Sequence, residues 1–188
     1  MPAFINVHSH IYSALARGLS IKGYNPTNFY EILDGMWRAI DRNLDLEGTR
    51  YSAYTTFIDS IKTGCTTLFD HHASFCEIPG SLFTIEEVAK ELGVRACLCY
   101  EVSDRDGEEK CLQAIQENAD FITECQKNQD PMLAAMFGGH ALFTLWEIIT
   151  RRKPSEKFLE VAQYVGLMII LALLVYANGN DIYRFFIK

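Results

Sequence analysis

Short apolar, β-prone runs at residues 4–7, 65–69, 94–100 and 131–137 alternate with helical stretches, and no other feature restricts the fold of this chain so strongly. A strand, a crossover helix and a further strand make the repeating unit of a parallel α/β sheet, whose connections are right-handed. The helical stretches are legible in the intervals. Tyr30, Ile32, Leu33, Met36, Trp37 and Ile40 form one apolar stripe, and residues 46–62 form a second, closed by Gly64. Thr84 with Glu87 three residues on reads as a capping box that opens a helix stopping near Gly93. Residues 108–127 form a long helix with acidic residues in its first turn, where the helix dipole favours them. Residues 12–30, rich in Gly, Ser, Asn and Pro, read as a long loop. Periodicity does not choose between a doubly wound sheet and a (β/α)8 barrel.

Composition removes several classes. With 49% hydrophobic and 22% charged residues the chain is no disordered polyelectrolyte, and a net charge of −7 without a basic stripe excludes nucleic acid as a partner. The six cysteines, Cys65, Cys76, Cys97, Cys99, Cys111 and Cys125, show no Cys-x-x-Cys spacing and read as free thiols of a reducing compartment. The first residues read as a strand with no basic segment before it, so the N-terminal part is expected in the cytoplasm.

The first strand carries the chemistry. Phe4, Ile5 and Val7 read as a continuous buried run, and at its end His8 and His10 lie two residues apart, so both imidazoles project from one face and can converge on a divalent ion. Asp70, His71 and His72 follow the second run and read as a loop cluster at the end of the sheet where active-site groups gather. Arg17, in the loop after the histidines, is a candidate for orienting an anionic or ring substrate, and Glu101, at the end of the third run, for supporting a metal ligand.

The segment from Pro2 to His10 resembles the Pro-Gly-(apolar)-(Asp/Asn)-x-His-x-His strand of the amidohydrolase superfamily, with Ala3 in place of the usual Gly. Through residues 12–18 and Thr66-Thr67-Leu68-Phe69-Asp70-His71-His72 the likeness narrows to the deaminase and chlorohydrolase branch, most closely the aminohydrolases associated with selenium metabolism. The resemblance covers about residues 1–145. It implies a metal-dependent barrel that hydrolyses C–N bonds of small molecules, with His8 and His10 on zinc, or on iron or manganese, and His140 of Gly138-Gly139-His140 in contact with substrate. A whole barrel takes roughly 250 residues, so residues 1–139 would supply about four βα units of a partial TIM-like barrel. The family's later His-x-x-Glu, further histidine and metal-binding Asp have no counterpart after His140. The expected enzyme is therefore truncated and impaired, with open sheet edges that invite self-association.

Residues 140–188 are of another kind. From Gly138 onward the pattern resembles the C-terminus of a membrane-embedded site-2 zinc protease, although Phe137 stands where that family has Asp. Residues 161–180 contain no charge and match the roughly 20 apolar residues of a membrane span. Arg151, Arg152, Lys153 and Lys157 precede them, against Arg184 and Lys188 after, which orients the N-terminal part to the cytoplasm. Two resemblances meeting near residues 137–145 carry the alternatives of a chimera, or of a single-pass membrane protein bearing a non-catalytic remnant.

Overall fold

The computed structural model describes residues 2–139, together with 164, 165 and 168. His140 and nearly all of the apolar stretch 161–180 lie outside the described residues, as does most of the join at 137–145. Among the described residues no helix is long and apolar enough to cross a membrane.

Within Met1–His140 the expected alternation produces a parallel sheet. Its strands are β1 (Phe4–Ser9), β2 (Cys65–His72), β3 (Arg95–Val102), β4 (Leu133–Ala135) and β5 (Gly138–Gly139), ordered β1-β2-β3-β4 with β5 also pairing β3. Every pair is parallel. Each of the first four strands lies beside its predecessor in the chain. That is the singly wound order of a barrel, not the order of a doubly wound sheet, which reverses at a switch point.

The helices are α1 (Phe29–Ile32), α2 (Arg38–Asp41), α3 (Leu46–Lys62), α4 (Ser81–Leu92) and α5 (Glu108–Asn128). Asp45 caps α3 by accepting the Gly48 N–H at 2.7 Å, and Gly64, at a φ of +79° that a side chain would resist, turns the chain into β2. Phe57 of α3, Leu82, Ile85 and Val88 of α4, and Phe121 of α5 close over Leu68, Leu98 and Tyr100 of the central strands to make the core.

Five local expectations give way. The capping box at Thr84 does not form, because α4 starts three residues earlier, at Ser81; the Thr84 hydroxyl donates back to the Gly80 carbonyl at 2.9 Å, and Glu87 pairs with Arg50 at 2.6 Å. The cap comes from a distant residue instead: the buried Glu117 carboxylate of α5 accepts the Gly80 and Leu82 N–H groups, both at 2.8 Å. The stripe at residues 30–40 is broken into α1, a π turn at Leu33–Trp37 and α2, and a 3₁₀ helix at Ile11–Ala16 occupies the start of the expected loop. β2 runs on through His72, so Asp70, His71 and His72 are strand residues and not a loop. Finally, Phe4, Ile5 and Val7 are 59%, 62% and 72% exposed. An apolar run marks a strand but does not supply its cover: among the described residues β1 pairs with β2 alone, and these three side chains are largely uncovered.

Candidate functional site

The ends of β1 and β2 bring together the groups singled out in the sequence. His8, in β1, and His10, one residue beyond its end, are both exposed, with ring centroids 4.7 Å apart and planes perpendicular. The His8 N–H is accepted by the Asn6 side chain at 3.1 Å. Nδ1 of His10 lies 3.0 Å from the main-chain carbonyl of His71. A carbonyl only accepts, so the His10 proton sits on Nδ1 and Nε2 is left with its lone pair. The main chain of His10 is held as well, its carbonyl accepting the N–H of Ser13 at 3.2 Å and the hydroxyl of Ser13 at 2.9 Å.

The pleat of β2 divides its last residues between two environments. His71 is half-buried on the side of His10, their ring centroids 6.0 Å apart. Asp70 and His72 point to the other, buried side. Oδ1 of Asp70 accepts the Ile11 N–H at 2.7 Å while Oδ2 has no hydrogen-bond partner, and burial pushes this carboxyl up to about 7 against the pull of the Ile11 N–H. His72 is fully buried with both ring nitrogens unpartnered, and burial, with a smaller contribution from His71, drives its imidazole down to about 3. Of these three candidates for facing the metal or substrate, His71 alone lies on the histidine side.

Tyr12, which the sequence reading passed over as loop, bridges the two sides. Its ring centroid is 5.8 Å from that of His10 and 6.5 Å from that of His72. Burial, aided by the charges of Asp41 and Glu101, raises its hydroxyl to about 12, so it stays protonated as a donor. Arg17 borders a cavity of about 270 Å³ with Ser9, His10, Trp37 and Thr56, and its guanidinium is engaged with Asp59 at 2.6 Å.

Glu101 takes part in a different assembly. Arg105 binds its carboxylate at 3.1 Å and Asp41 at 2.5 Å, and lies 3.9 Å over the ring of Phe75. Burial raises Asp41 to about 6 even though Arg105 pulls it down. Asp41 and Arg105 are far apart in the chain, and no local pattern pairs them. Gly138, at the end of the expected path to His140, passes so close to the Tyr100 carbonyl that no side chain could be accommodated there; His140 itself lies outside the described residues.

Two imidazoles side by side, each with a ring nitrogen available, suit a borderline divalent ion. His8 and His10 fit as two of its ligands, and among the described residues no group of three His, Cys, Asp or Glu side chains could hold a metal by itself.

The model of the amidohydrolase family matches residues 1–147. The chain is 30% identical over 151 residues to a 5'-deoxyadenosine deaminase of Methanobrevibacter smithii, covering 77% of this chain and 31% of that one. It is 31% identical over 146 residues to a 5-methylthioadenosine/S-adenosylhomocysteine deaminase of Thermococcus sibiricus, covering 76% and 31%. The chain thus spans about a third of the length of these curated relatives. Among solved structures, an adenosine deaminase of Xanthomonas campestris with bound zinc superposes with a TM-score of 0.59 at 15% identity, over 74% of this chain and 29% of that one, a likeness of fold. A separate match, 47% identical over 47 residues, or 25% of this chain and 13% of the other, is to a zinc metalloprotease of Campylobacter jejuni. The protease resemblance rests on that short stretch alone.

Proposed function

Because this chain belongs to the amidohydrolase family, we propose that it carries the metal-binding part, about a third, of a hydrolase that removes an exocyclic amino group from a small purine-like nucleoside, with His8 and His10 on a divalent ion. The observation that carries the reading is the perpendicular His8–His10 pair at the end of β1, with Nδ1 of His10 occupied by the His71 carbonyl and Nε2 free. The deaminases among its relatives support the reaction class, and the zinc of the Xanthomonas structure supports the metal.

A divalent ion held there would supply the Lewis acidity that activates water for attack on the carbon bearing the amino group. Around it the chain's own residues would bind and orient the substrate. His71, on the same face, and His140, by the family resemblance, border the substrate. Tyr12 offers a hydroxyl that remains protonated, and Arg17 edges the cavity beside His10. Deamination also needs a group that carries protons between water and leaving amine. Asp70 faces the buried side of β2 and Glu101 is engaged with Arg105, so among the described residues neither is free for that task. The chain alone is therefore expected to bind metal with little turnover.

Zinc titration of the purified chain and of the His8→Ala, His10→Ala double variant tests this. The wild type should bind weakly, with affinity falling as the pH drops through the imidazole range near 6.5, and the variant should not bind at that strength. Equal affinities would remove the metal site, and with it the proposed reaction.

A further inference from the structure

We propose that Asp70 is the positioning residue of the histidine pair: by holding the main chain just beyond His10 it sets the ring against the His71 carbonyl, and so decides which nitrogen faces a metal. The inference rests on the functional reading for its consequence, and on geometry alone for its mechanism.

β1 ends at Ser9, which is in register with Asp70. At that point the chain leaves the sheet, and the two residues that follow are caught by consecutive residues of β2. The Asp70 side chain takes the Ile11 N–H at 2.7 Å and the His71 main chain takes Nδ1 of His10 at 3.0 Å. Ile11 is fully buried, so its position is fixed from below by packing and from the strand by the carboxylate. His10 sits between these anchors with its own carbonyl tied to Ser13.

Asp70 is costly as a piece of core. It is 1% exposed and leaves Oδ2 without a partner, where an apolar residue of the same size would leave no acceptor unpaired. What the carboxylate provides in return is the short bond to Ile11, with the Ser9 side chain beside it as a further hydrogen-bonding group. Without it the turn after β1 can relax, the His71 carbonyl loses its register with the imidazole, and the proton on His10 is no longer confined to Nδ1. Groups that orient a metal-bound histidine through its second nitrogen commonly change metal affinity by about 10–100-fold when removed.

The test compares wild type, Asp70→Asn and Asp70→Leu, each shown to be folded by its unfolding transition, and reads the metal-free His10 tautomer by nitrogen-15 NMR at a pH where the ring is neutral. Zinc affinity is measured alongside. Wild type and Asp70→Asn, which keeps an acceptor, should hold the proton on Nδ1; Asp70→Leu should show mixed tautomers and at least about tenfold weaker zinc binding. A folded Asp70→Leu with an unchanged tautomer and unchanged affinity overturns the proposal, and so does a wild-type His10 protonated on Nε2. Should Asp70→Leu fail to fold, Asp70→Ser, too short to reach Ile11, puts the same question with the same two outcomes. Failure of every protein to bind zinc would strike the proposed function while leaving the tautomer to decide the role of Asp70.

Discussion

The first strand and the central pair of strands look alike as sequence and differ in every physical respect. β1 is apolar at Phe4, Ile5 and Val7, yet these side chains are largely in water; Leu68, Leu98 and Tyr100 of β2 and β3 are fully buried. Among the described residues β2 and β3 have neighbours on both edges and helices packed against them, while β1 has one neighbour. The metal-binding candidates stand on the exposed strand, and the groups that fix them in place, Asp70 and the His71 carbonyl, come from the buried one. Chemistry is thus carried where the scaffold is open and aimed from where it is rigid, a division found wherever reactive groups are mounted on a firm support.

Substitutions can break this contrast. The largest effect is expected at Asn118, which is fully buried and whose amide accepts the N–H groups of Tyr100 at 3.0 Å and Gly138 at 3.4 Å while donating to the Tyr100 and Ala114 carbonyls, both at 2.9 Å. Asn118→Ala strands three main-chain groups of β3 and β5 at about 1–3 kcal/mol each, so denaturant unfolding should show a loss of at least about 3 kcal/mol. Leu98→Ala opens a cavity in the centre and should cost about 2–5 kcal/mol in the same experiment. A loss below about 1 kcal/mol there would mean that the core closes without β3.

Acid should act on the centre before the edge. His72 is held neutral with its folded pKa lowered to about 3, while an unfolded imidazole titrates near 6.5. Between these values the unfolded chain binds the extra proton, so stability is whole above about 6.5 and declines as the pH falls toward 3. Replacing His72 with Leu should flatten that decline in unfolding curves taken across the range, and an unaltered slope would assign it to other groups. The smallest effect is expected at the edge. Val7 is 72% exposed, so Val7→Thr should change stability by about 0.5 kcal/mol or less, and a larger loss would show that something covers β1.

The sequence made the first four strands, α3 and α5 readable because each of those elements is specified by its own residues: apolar runs, the Leu46–Lys62 stretch with Gly64 behind it, and the acidic start of α5. His8 and His10 were legible for the same reason, since a spacing of two on a strand is local geometry. What escaped depended on distant partners. Thr84 and Glu87 form a plausible capping box until Glu117 arrives from another helix, and Asp70 resembles a solvated loop residue until Ile11 and Ser9 are placed beside it. Tyr12 offered no signal, because its position between His10 and His72 exists only once β1 and β2 have paired. The burial of β1 was misjudged because hydrophobicity records what a residue prefers and not what lies next to it.

The carboxylate of Glu117 also sets an order of events. The first turn of α4 is finished by an acceptor 37 positions further along from Gly80, so a chain emerging from its N-terminus has β3 in hand while the leading amides of α4 still bond to water. The start of α4 is therefore completed only once α5 has docked, and the second and third βα units are expected to settle together. Amide exchange at Gly80 and Leu82 records that dependence directly, and in Glu117→Ala both should exchange with the speed of a frayed helix end while the amides of β3 remain slow.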